Sequence, residues 1–169
     1  MILAIDPGNE ESGIVLLNDD LSVIEAKKLK NEEIQARIYN EDFEEVTHIA
    51  IEMVASYGMA VGKTVFETCV WIGRFYESLF NKTGIEPRFI YRKEETLNLC
   101  NSPRGGDSNV IQALRDRFAL GVSNYGKGTK KNPGWFYGFS KDIWQAYAVG
   151  VTYYDKYLIT EKANKILNK

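Results

Sequence analysis

The sequence predicts an α/β fold in which a mixed five-stranded sheet is flanked by helices on both faces. Three observations support this prediction. Two apolar runs, at residues 2–5 and 14–17, lie on either side of a Pro-Gly turn, and such runs are typical of strands buried on both faces. The first strand patterns follow one another directly, and the later ones alternate with helical patterns, which indicates a layered α/β sheet.

The strands and helices can be placed in order along the chain. Strands are predicted at residues 2–6, 13–18, 21–29, 47–53 and 88–91, and helices at residues 30–43, 64–80, 93–99, 107–118 and 141–157. Asn18-Asp19-Asp20 is a hairpin turn between the second and third strands. The spacing of Ile34, Ile38 and Phe43 indicates that the first helix is amphipathic.

The later helices are recognised by their apolar spacing and their N-terminal residues. The helix at residues 64–80 has one predicted apolar stripe, formed by Val65, Cys69, Ile72, Tyr76 and Phe80. Asp107 and Ser140 are good N-caps for the last two helices. Between those helices, the five glycines within residues 119–138 predict a long mobile loop.

The composition is that of an ordinary soluble protein. A length of 169 residues predicts a single domain over residues 1–169. No apolar run approaches the roughly 18 residues of a membrane-spanning helix, and the N-terminus lacks a secretory pattern. The spacing of Cys69 and Cys100 is not that of a metal site, and the lone His48 argues against histidine-based catalysis. We therefore expect a cytoplasmic protein without membrane partners.

Charge is distributed unevenly along a chain whose net charge is only −2. Residues 1–81 carry 6 Lys and Arg against 15 Asp and Glu, whereas residues 82–131 carry 10 against 5. This asymmetry is typical of a molecule with one basic binding face. The simpler interpretation is that the charges only keep the protein soluble.

Two predicted strands end on a carboxylate, Asp6 and Glu52. A carboxylate at the rim of a sheet is costly unless a cation or a hydrogen-bond donor pairs with it. Asp142 lies in the first turn of the last helix, and if that helix packs beside the first strand the three carboxylates converge. Such a cluster favours Mg²⁺ or Mn²⁺. Two of these ions about 4 Å apart support phosphodiester hydrolysis.

Each carboxylate also has a simpler interpretation. Asp6 can cap the turn that follows it, and Glu52 can be an exposed group at a strand end. Asp142 is favoured at the positive end of its own helix without any metal. The metal-site interpretation therefore depends on the set of residues and on their order along the chain.

This order resembles the RuvC family of Holliday junction resolvases, which belongs to the ribonuclease H-like superfamily. The similarity covers residues 1–155 and is strongest over residues 2–17 and 49–52, while residues 107–112 are similar to the helix before the family's last motif. It implies a ribonuclease H-like fold and a nuclease that cleaves branched DNA, four-way junctions above all, with two Mg²⁺ or Mn²⁺ ions per active site. The chain length is similar to that of phage or prophage members, which implies a bacterial or phage-infected host cytoplasm.

The resemblance assigns the catalytic and metal-ligating carboxylates to Asp6, Glu52 and Asp142. The family's second acidic position on the last helix falls on Gln145, three residues after Asp142. The amide oxygen of Gln145 can bind an ion but carries no charge, so we expect weaker metal binding there.

The resemblance also implies a homodimer. We expect the helix at residues 64–80 to be the dimer face, with Trp71 and Phe75 as the apolar residues to test. Two-fold symmetry would match a symmetric junction, each active site cutting one strand.

DNA contacts are expected from the basic second half of the chain. The phosphate-binding candidates are Arg88, Arg92, Lys93, Arg104, Lys127, Lys130 and Lys131. The aromatic run at residues 135–137 follows a flexible basic loop and either stacks on opened bases or anchors the loop to the core. Tyr57 lies in the loop after Glu52, which corresponds to a family loop that reaches into the junction. An aromatic side chain there can wedge between bases.

Three other functions fit parts of the sequence. Gly58 to Thr64 follows a strand and opens a helix like a phosphate-binding loop, but its first glycine is one residue too close to Gly62-Lys63-Thr64. A catalytically weak or inactive module that binds branched DNA is favoured by Gln145. A nuclease of the same fold that acts on flaps would share the same residues.

Overall fold

A computed structural model of the chain describes residues 1–40 and 43–159. Its five strands are Ile2–Asp6 (β1), Glu11–Leu17 (β2), Val23–Lys30 (β3), His48–Met53 (β4) and Arg88–Tyr91 (β5). They form one sheet in the order β3-β2-β1-β4-β5. The pairs β1–β2 and β2–β3 are antiparallel, whereas β1–β4 and β4–β5 are parallel. The predicted mixed five-stranded sheet is confirmed.

Helices cover both faces of this sheet. The five α-helices are Asn31–Tyr39 (α1), Lys63–Thr83 (α2), Arg92–Cys100 (α3), Asp107–Ala119 (α4) and Lys141–Tyr153 (α5). Leu3 and Ile5 of β1 pack in one apolar cluster with α1 and α2, and Ile2 and Ala4 pack in another with α4 and α5. Successive side chains of a strand point to opposite faces, so β1 is buried on both sides, as its apolar run predicts.

A buried hydrogen-bond network holds the turn that follows Asp6. The Ser12 hydroxyl accepts a bond from the Gly8 N–H at 3.1 Å and donates to Asn31 Oδ1 at 2.6 Å. The side-chain amide of Asn31 donates in turn to the Gly8 carbonyl at 2.9 Å. Because these polar groups satisfy one another, the turn between β1 and β2 can lie under the start of α1.

Small residues allow α5 to lie close against β1 and β2. A Cβ atom placed on Gly150 would be 2.7 Å from Leu17 Cδ1 and 3.2 Å from the Cβ of Ala4. A Cβ atom on Gly13 would be only 2.4 Å from the Asp142 carbonyl oxygen. At Gly13 the obstacle is backbone, so only glycine fits there without moving the helix, whereas a side chain at position 150 would displace the end of Leu17.

Two helix predictions need correction. The first helix ends at Tyr39 rather than at residue 43, although Phe43 is still buried against it. On α2 the buried residues are Thr68, Ile72, Phe75, Ser78 and Leu79, and Phe80 is 44% exposed. The predicted stripe was therefore partly wrong, and Phe75, expected at a dimer face, lies fully in the core beneath the half-buried Trp71.

The helix termini also differ from the predictions. Asp107 is the first residue of α4 and not its N-cap, because the cap is Gly106, whose N–H donates to Asn109 Oδ1 at 3.0 Å. Ser140 is the N-cap of α5, but its side chain makes no capping bond. The α-helical part of α5 ends at Tyr153 and continues as a π-helical turn over Tyr154–Leu158.

The segment at residues 119–138 has structure of its own. It contains a 3₁₀ turn at Ser123–Gly126 and a β-bridge between Gly128 and Pro133. Phe136 is buried in the core, and the Trp135 indole donates to the Tyr147 hydroxyl at 2.9 Å. These two aromatic residues anchor the segment, which is the simpler of their two interpretations. No helix among the described residues is long and apolar enough to cross a membrane.

Candidate functional site at the ends of the parallel strands

The three parallel strands end at one edge of the sheet, and each ends on or beside a charged residue. Asp6 is the last residue of β1, Glu52 lies one residue before the end of β4, and Arg92 directly follows β5. Because Ile5 pairs with Ile51, Asp6 and Glu52 occupy neighbouring positions one step further along the ladder. Strand alternation turns both carboxylates toward the face that α5 covers.

The carboxyl groups of Asp6 and Glu52 hydrogen-bond to each other, which requires a proton on one of them. Burial, together with the hydrogen bond to Glu52 and the negative charges of Glu52, Asp142 and Glu95, raises the pKa of Asp6 to about 10. Burial also raises the pKa of Glu52. Near neutral pH the pair therefore holds one proton when no cation is bound.

Asp142 reaches this edge because α5 begins there. Gly13, the cross-strand partner of Asp6, lets the first turn of α5 lie directly on β2. The Asp142 carboxylate forms an ion pair with Lys28 Nζ at 2.8 Å, and the same Nζ atom lies 3.0 Å from Glu11 Oε2. The three carboxylates therefore form a loose cluster, in which Asp142 acts on Asp6 through its charge while its own carboxylate is paired with Lys28 at the rim.

A fourth carboxylate, Glu95 on α3, belongs to the same cluster and was not predicted from the sequence. Its side chain is fully buried, and burial together with the charge of Glu52 raises its pKa well above the ordinary value. Glu95 Oε2 lies 3.1 Å from Arg92 Nη1, whereas Oε1 is buried without a hydrogen-bond partner among the described residues. Because α3 has no clear apolar stripe, nothing in its sequence separates Glu95 from Glu94, which is only partly buried.

Arg92 lies at the centre of these acidic groups. Its guanidinium group donates to Glu95, to the Gln145 side-chain oxygen and to Asp107. Gln145 is 8% exposed, and its side-chain nitrogen is buried without a partner. Arg92, predicted from the sequence as a phosphate contact, is 26% exposed and thus also reaches the cleft outside the cluster.

The donor set fits a hard divalent cation in its chemistry. Within residues 1–40 and 43–159, no three His, Cys, Asp or Glu side chains converge as a ready-made metal site. A shared proton and the Arg92 guanidinium neutralise the carboxylates instead. All the available ligands are oxygens, which Mg²⁺ and Mn²⁺ prefer, and the Glu95 Oε1 atom has no partner that an ion would have to replace.

Four of the predicted DNA-binding residues line a single cleft beside this cluster. Tyr57, Arg92, Lys93 and Arg104 surround a volume of about 550 Å³. A second cleft of about 530 Å³ shares Tyr57 and Lys93 and has apolar walls that include Leu97. Tyr57 is 55% exposed, so its ring is accessible to a ligand.

The remaining candidates lie apart from this cleft. Arg88, at the start of β5, lies over the Tyr157 ring at 4.4 Å. Lys127, Lys130 and Lys131 are exposed on the loop closed by the Gly128–Pro133 bridge. In the loop that resembles a phosphate-binding loop, Lys63 pairs with Glu67 at 3.3 Å, and its side chain is 88% exposed.

Comparison with solved structures identifies the fold. The chain is similar to the structure of Thermus thermophilus RuvC, with 17% sequence identity, a TM-score of 0.62, and coverage of 92% of this chain and 95% of that one. It is also similar to T. thermophilus RuvC in complex with a Holliday junction substrate, with 15% identity, a TM-score of 0.64, and coverage of 92% and 94%. No family model and no curated protein matches the chain. The chain therefore has the fold of RuvC, and the predicted ribonuclease H-like architecture is confirmed.

Proposed function

We propose that this protein is a divalent-metal-dependent endonuclease that cleaves branched DNA, four-way junctions above all. The observation that carries the proposal is the cluster of buried carboxylates at the ends of the parallel strands, in a fold shared with a protein solved on a Holliday junction substrate. In open α/β sheets, ligands bind in the crevice beyond the carboxyl ends of the strands. The basic cleft of Arg92, Lys93 and Arg104 adjoins this edge and suits a phosphate backbone.

The metal ligands in this proposal are Asp6, Glu52 and Asp142, with a contribution from the Gln145 amide oxygen. Bound Mg²⁺ or Mn²⁺, two ions per site, supplies Lewis-acid activation of the water and of the scissile phosphate. Asp6 and Asp142 hold the cations, and Glu52 orients the attacking water. The water oxygen bonds to phosphorus while the P–O3′ bond breaks, which leaves a 5′-phosphate and a 3′-hydroxyl, with no covalent enzyme intermediate.

The basic residues position the DNA. Lys93 and Arg104 bind phosphates along the cleft that leads to the carboxylates, and Tyr57 supplies an aromatic surface at its mouth. The exposed lysines at positions 127, 130 and 131 extend this charge beyond the cleft. Such contacts fix the register of the backbone without reading its sequence.

The test is cleavage of a four-way junction labelled on each strand, beside a linear duplex of the same arm sequence, with Mg²⁺, with Mn²⁺ and with chelator. We expect metal-dependent nicks in the junction alone, and a loss of about 100-fold or more in Asp6→Asn. The matched control is Asp19→Asn, an exposed aspartate in the turn at the opposite edge of the sheet. If folded wild-type protein is inert on the junction with both metals, the proposal is wrong.

We also propose a homodimer formed through α2. Phe66 and Val70 are 61% and 56% exposed and lie four residues apart, so they form an apolar strip on the outer face of the helix. Phe66→Glu is expected to convert the dimer to a monomer, measured by light scattering, whereas Leu120→Glu, at a residue outside α2 that is 77% exposed, leaves it dimeric. A monomeric wild type would contradict the dimer without affecting the nuclease proposal.

A protein that binds branched DNA without cutting it is the second candidate. It is favoured by the neutral Gln145 and by the guanidinium of Arg92 within the carboxylate cluster. This alternative predicts tight junction binding with no cleavage in wild type, and a gain of cleavage in Gln145→Asp.

A further inference from the structure

The most deeply buried charged side chain of the described residues is Glu95. Its relative exposure is 0%, and no other acidic or basic residue in the described part of the chain falls in the buried class. A carboxylate in such a place is stable only with strong partners, since the loss of water around its charge is costly. Glu95 therefore requires an explanation beyond that of an ordinary surface glutamate.

The partners of Glu95 are incomplete. One oxygen, Oε2, pairs with Arg92 Nη1 at 3.1 Å, and the other, Oε1, has no hydrogen-bond donor in the described structure. The free oxygen belongs to a group that interacts electrostatically with Glu52 and Asp6. A buried acceptor without a donor marks a place where a ligand is missing or where strain is kept for function.

Glu95 and Gln145 accept hydrogen bonds from the same atom, Arg92 Nη1. Arg92 Nη1 donates both to Glu95 Oε2 and to the Gln145 side-chain oxygen, so the two oxygens share one nitrogen as their donor. The carboxylate of α3 thus stands next to the position on α5 where the chain has an uncharged amide. The negative charge absent from position 145 is present, a few ångströms away, on a different helix.

We propose that Glu95 is a metal ligand of this site and supplies the charge that Gln145 does not. This inference rests on the proposed metal-dependent function. Arg92 is the counter-ion of Glu95 when no metal is bound, and it exchanges that role for a contact with the DNA phosphate when an ion binds to Glu95. The exposed part of Arg92 already lines the basic cleft, so its side chain is within reach of a phosphate bound there.

The alternative role for Glu95 is that of a purely structural partner for Arg92. The two roles predict different effects of paired substitutions on metal affinity. If Glu95 only holds Arg92, Glu95→Gln weakens metal binding by leaving the Arg92 charge unpaired, and it has no effect once Arg92→Gln has removed that charge. If Glu95 is a ligand, Glu95→Gln weakens metal binding in the wild type and in the Arg92→Gln variant alike, and Arg92→Gln alone leaves binding unchanged or tighter.

The experiment is calorimetric titration of the full-length protein with MnCl₂ in the absence of DNA. We expect Glu95→Gln to bind Mn²⁺ about 10-fold or more weakly than wild type. Arg92→Gln should bind at least as tightly as wild type, and Gln145→Asp added to Glu95→Gln should recover most of the lost affinity. The matched control is Glu86→Gln, an exposed glutamate before β5 at the far edge of the sheet, with affinity unchanged.

The outcomes separate this inference from the proposed function. Wild-type affinity in Glu95→Gln, or equal affinity of Arg92→Gln with and without Glu95→Gln, overturns the role of Glu95 while Asp6→Asn still abolishes binding. A wild type that binds no Mn²⁺ and cuts no junction overturns both. Should Glu95→Gln fail to fold, Arg92→Gln keeps Glu95 intact, and weaker Mn²⁺ binding there overturns the inference on its own.

Discussion

The two faces of the sheet differ most sharply between adjacent residues of β1. Ile5 points into a layer made with α1 and α2 that is almost wholly apolar, whereas Asp6 points to the face of α5 and meets three other carboxylates. The first layer stabilises the fold through the burial of apolar surface. The second keeps like charges together at a cost in stability, which is typical of functional sites. Strand β1 thus stabilises the fold through the face that packs on α1 and α2, and it places the candidate site at its end on the face that packs on α5.

The largest expected effect on stability comes from the apolar face. Ile5→Ala leaves a cavity beneath α1 and α2 and should lower the free energy of unfolding by about 2–5 kcal/mol, measured by chemical denaturation. The matched control is Ile24→Ala, since Ile24 on the edge strand β3 is 46% exposed and its loss should cost within about 0.5 kcal/mol. Equal losses in the two variants would contradict the assignment of Ile5 to the core.

The close approach of α5 is tested at Gly13. In Gly13→Ala the new methyl group meets the Asp142 carbonyl oxygen, so the first turn of α5 must move away from β2. The cost is about 1–3 kcal/mol, and junction cleavage should fall by more than this loss of stability explains, because Asp142 moves from Asp6. Gly62→Ala, where the added methyl meets no atom, is the control. Full cleavage activity in folded Gly13→Ala would show that the position of Asp142 is unimportant.

Substitution at the carboxylate edge should raise the stability of the protein, whereas substitution at Ile5 or Gly13 lowers it. Asn at position 6 is neutral, like the protonated Asp6 of the folded state, and can keep a hydrogen bond to Glu52. In Asp6→Asn folding at neutral pH no longer requires the uptake of a proton, so the metal-free protein should gain about 0.5–2 kcal/mol of stability. Cleavage is lost at the same time. Thermal unfolding in the presence of chelator measures the gain, and a loss of stability would contradict the description of this edge as strained by like charges.

The same edge makes stability depend on pH. Folded protein holds the Asp6 proton up to a pKa of about 10, whereas an unfolded aspartate loses it near 3.8, so the folded state binds more protons between these values. Unfolding releases a proton in this window, and the metal-free protein should therefore lose stability as pH rises from about 4 toward 10. Asp6→Asn should flatten this slope in a series of melting curves. An unchanged slope would exclude Asp6 as its source.

The smallest effects are expected at the exposed loop. Single substitutions of Lys127, Lys130 or Lys131 by alanine should weaken junction binding without changing stability. Each should also reduce the slope of log affinity against log salt by about 1 if the lysine contacts a phosphate. Measurement of binding at several salt concentrations decides this for each lysine, and an unchanged slope would remove it from the interface.

The sequence predicts those parts of the fold and the site where the residue pattern is compatible with only one type of secondary structure. The apolar runs before Asp6 and Glu52 have the length of buried strands, and two parallel strands necessarily bring their carboxyl ends to one edge. The buried stripe of α2 was less certain, because Phe80 and Leu79 are both apolar and only the packing decides which one faces the core.

Glu95 is a part of the site that could not be predicted from the sequence. It lies in a polar helix where Glu94 precedes it, and the sequence does not distinguish the partly exposed Glu94 from the fully buried Glu95. The ion pair between Arg92 and Glu95 could not be predicted either, because a basic residue that follows a strand is equally compatible with a phosphate contact. Both depend on how α3 meets α5, which no local pattern encodes.

The central claim is that the carboxylates at the ends of the parallel strands bind a divalent cation together. A crystal of the protein soaked in MnCl₂ and measured at a wavelength where manganese scatters anomalously tests it most directly. We expect an anomalous peak between Asp6, Glu52 and Asp142, with Glu95 as a ligand and the Arg92 side chain turned out toward the cleft. Arg92 still paired with Glu95, and no peak at this edge at a Mn²⁺ concentration that supports cleavage, would contradict it.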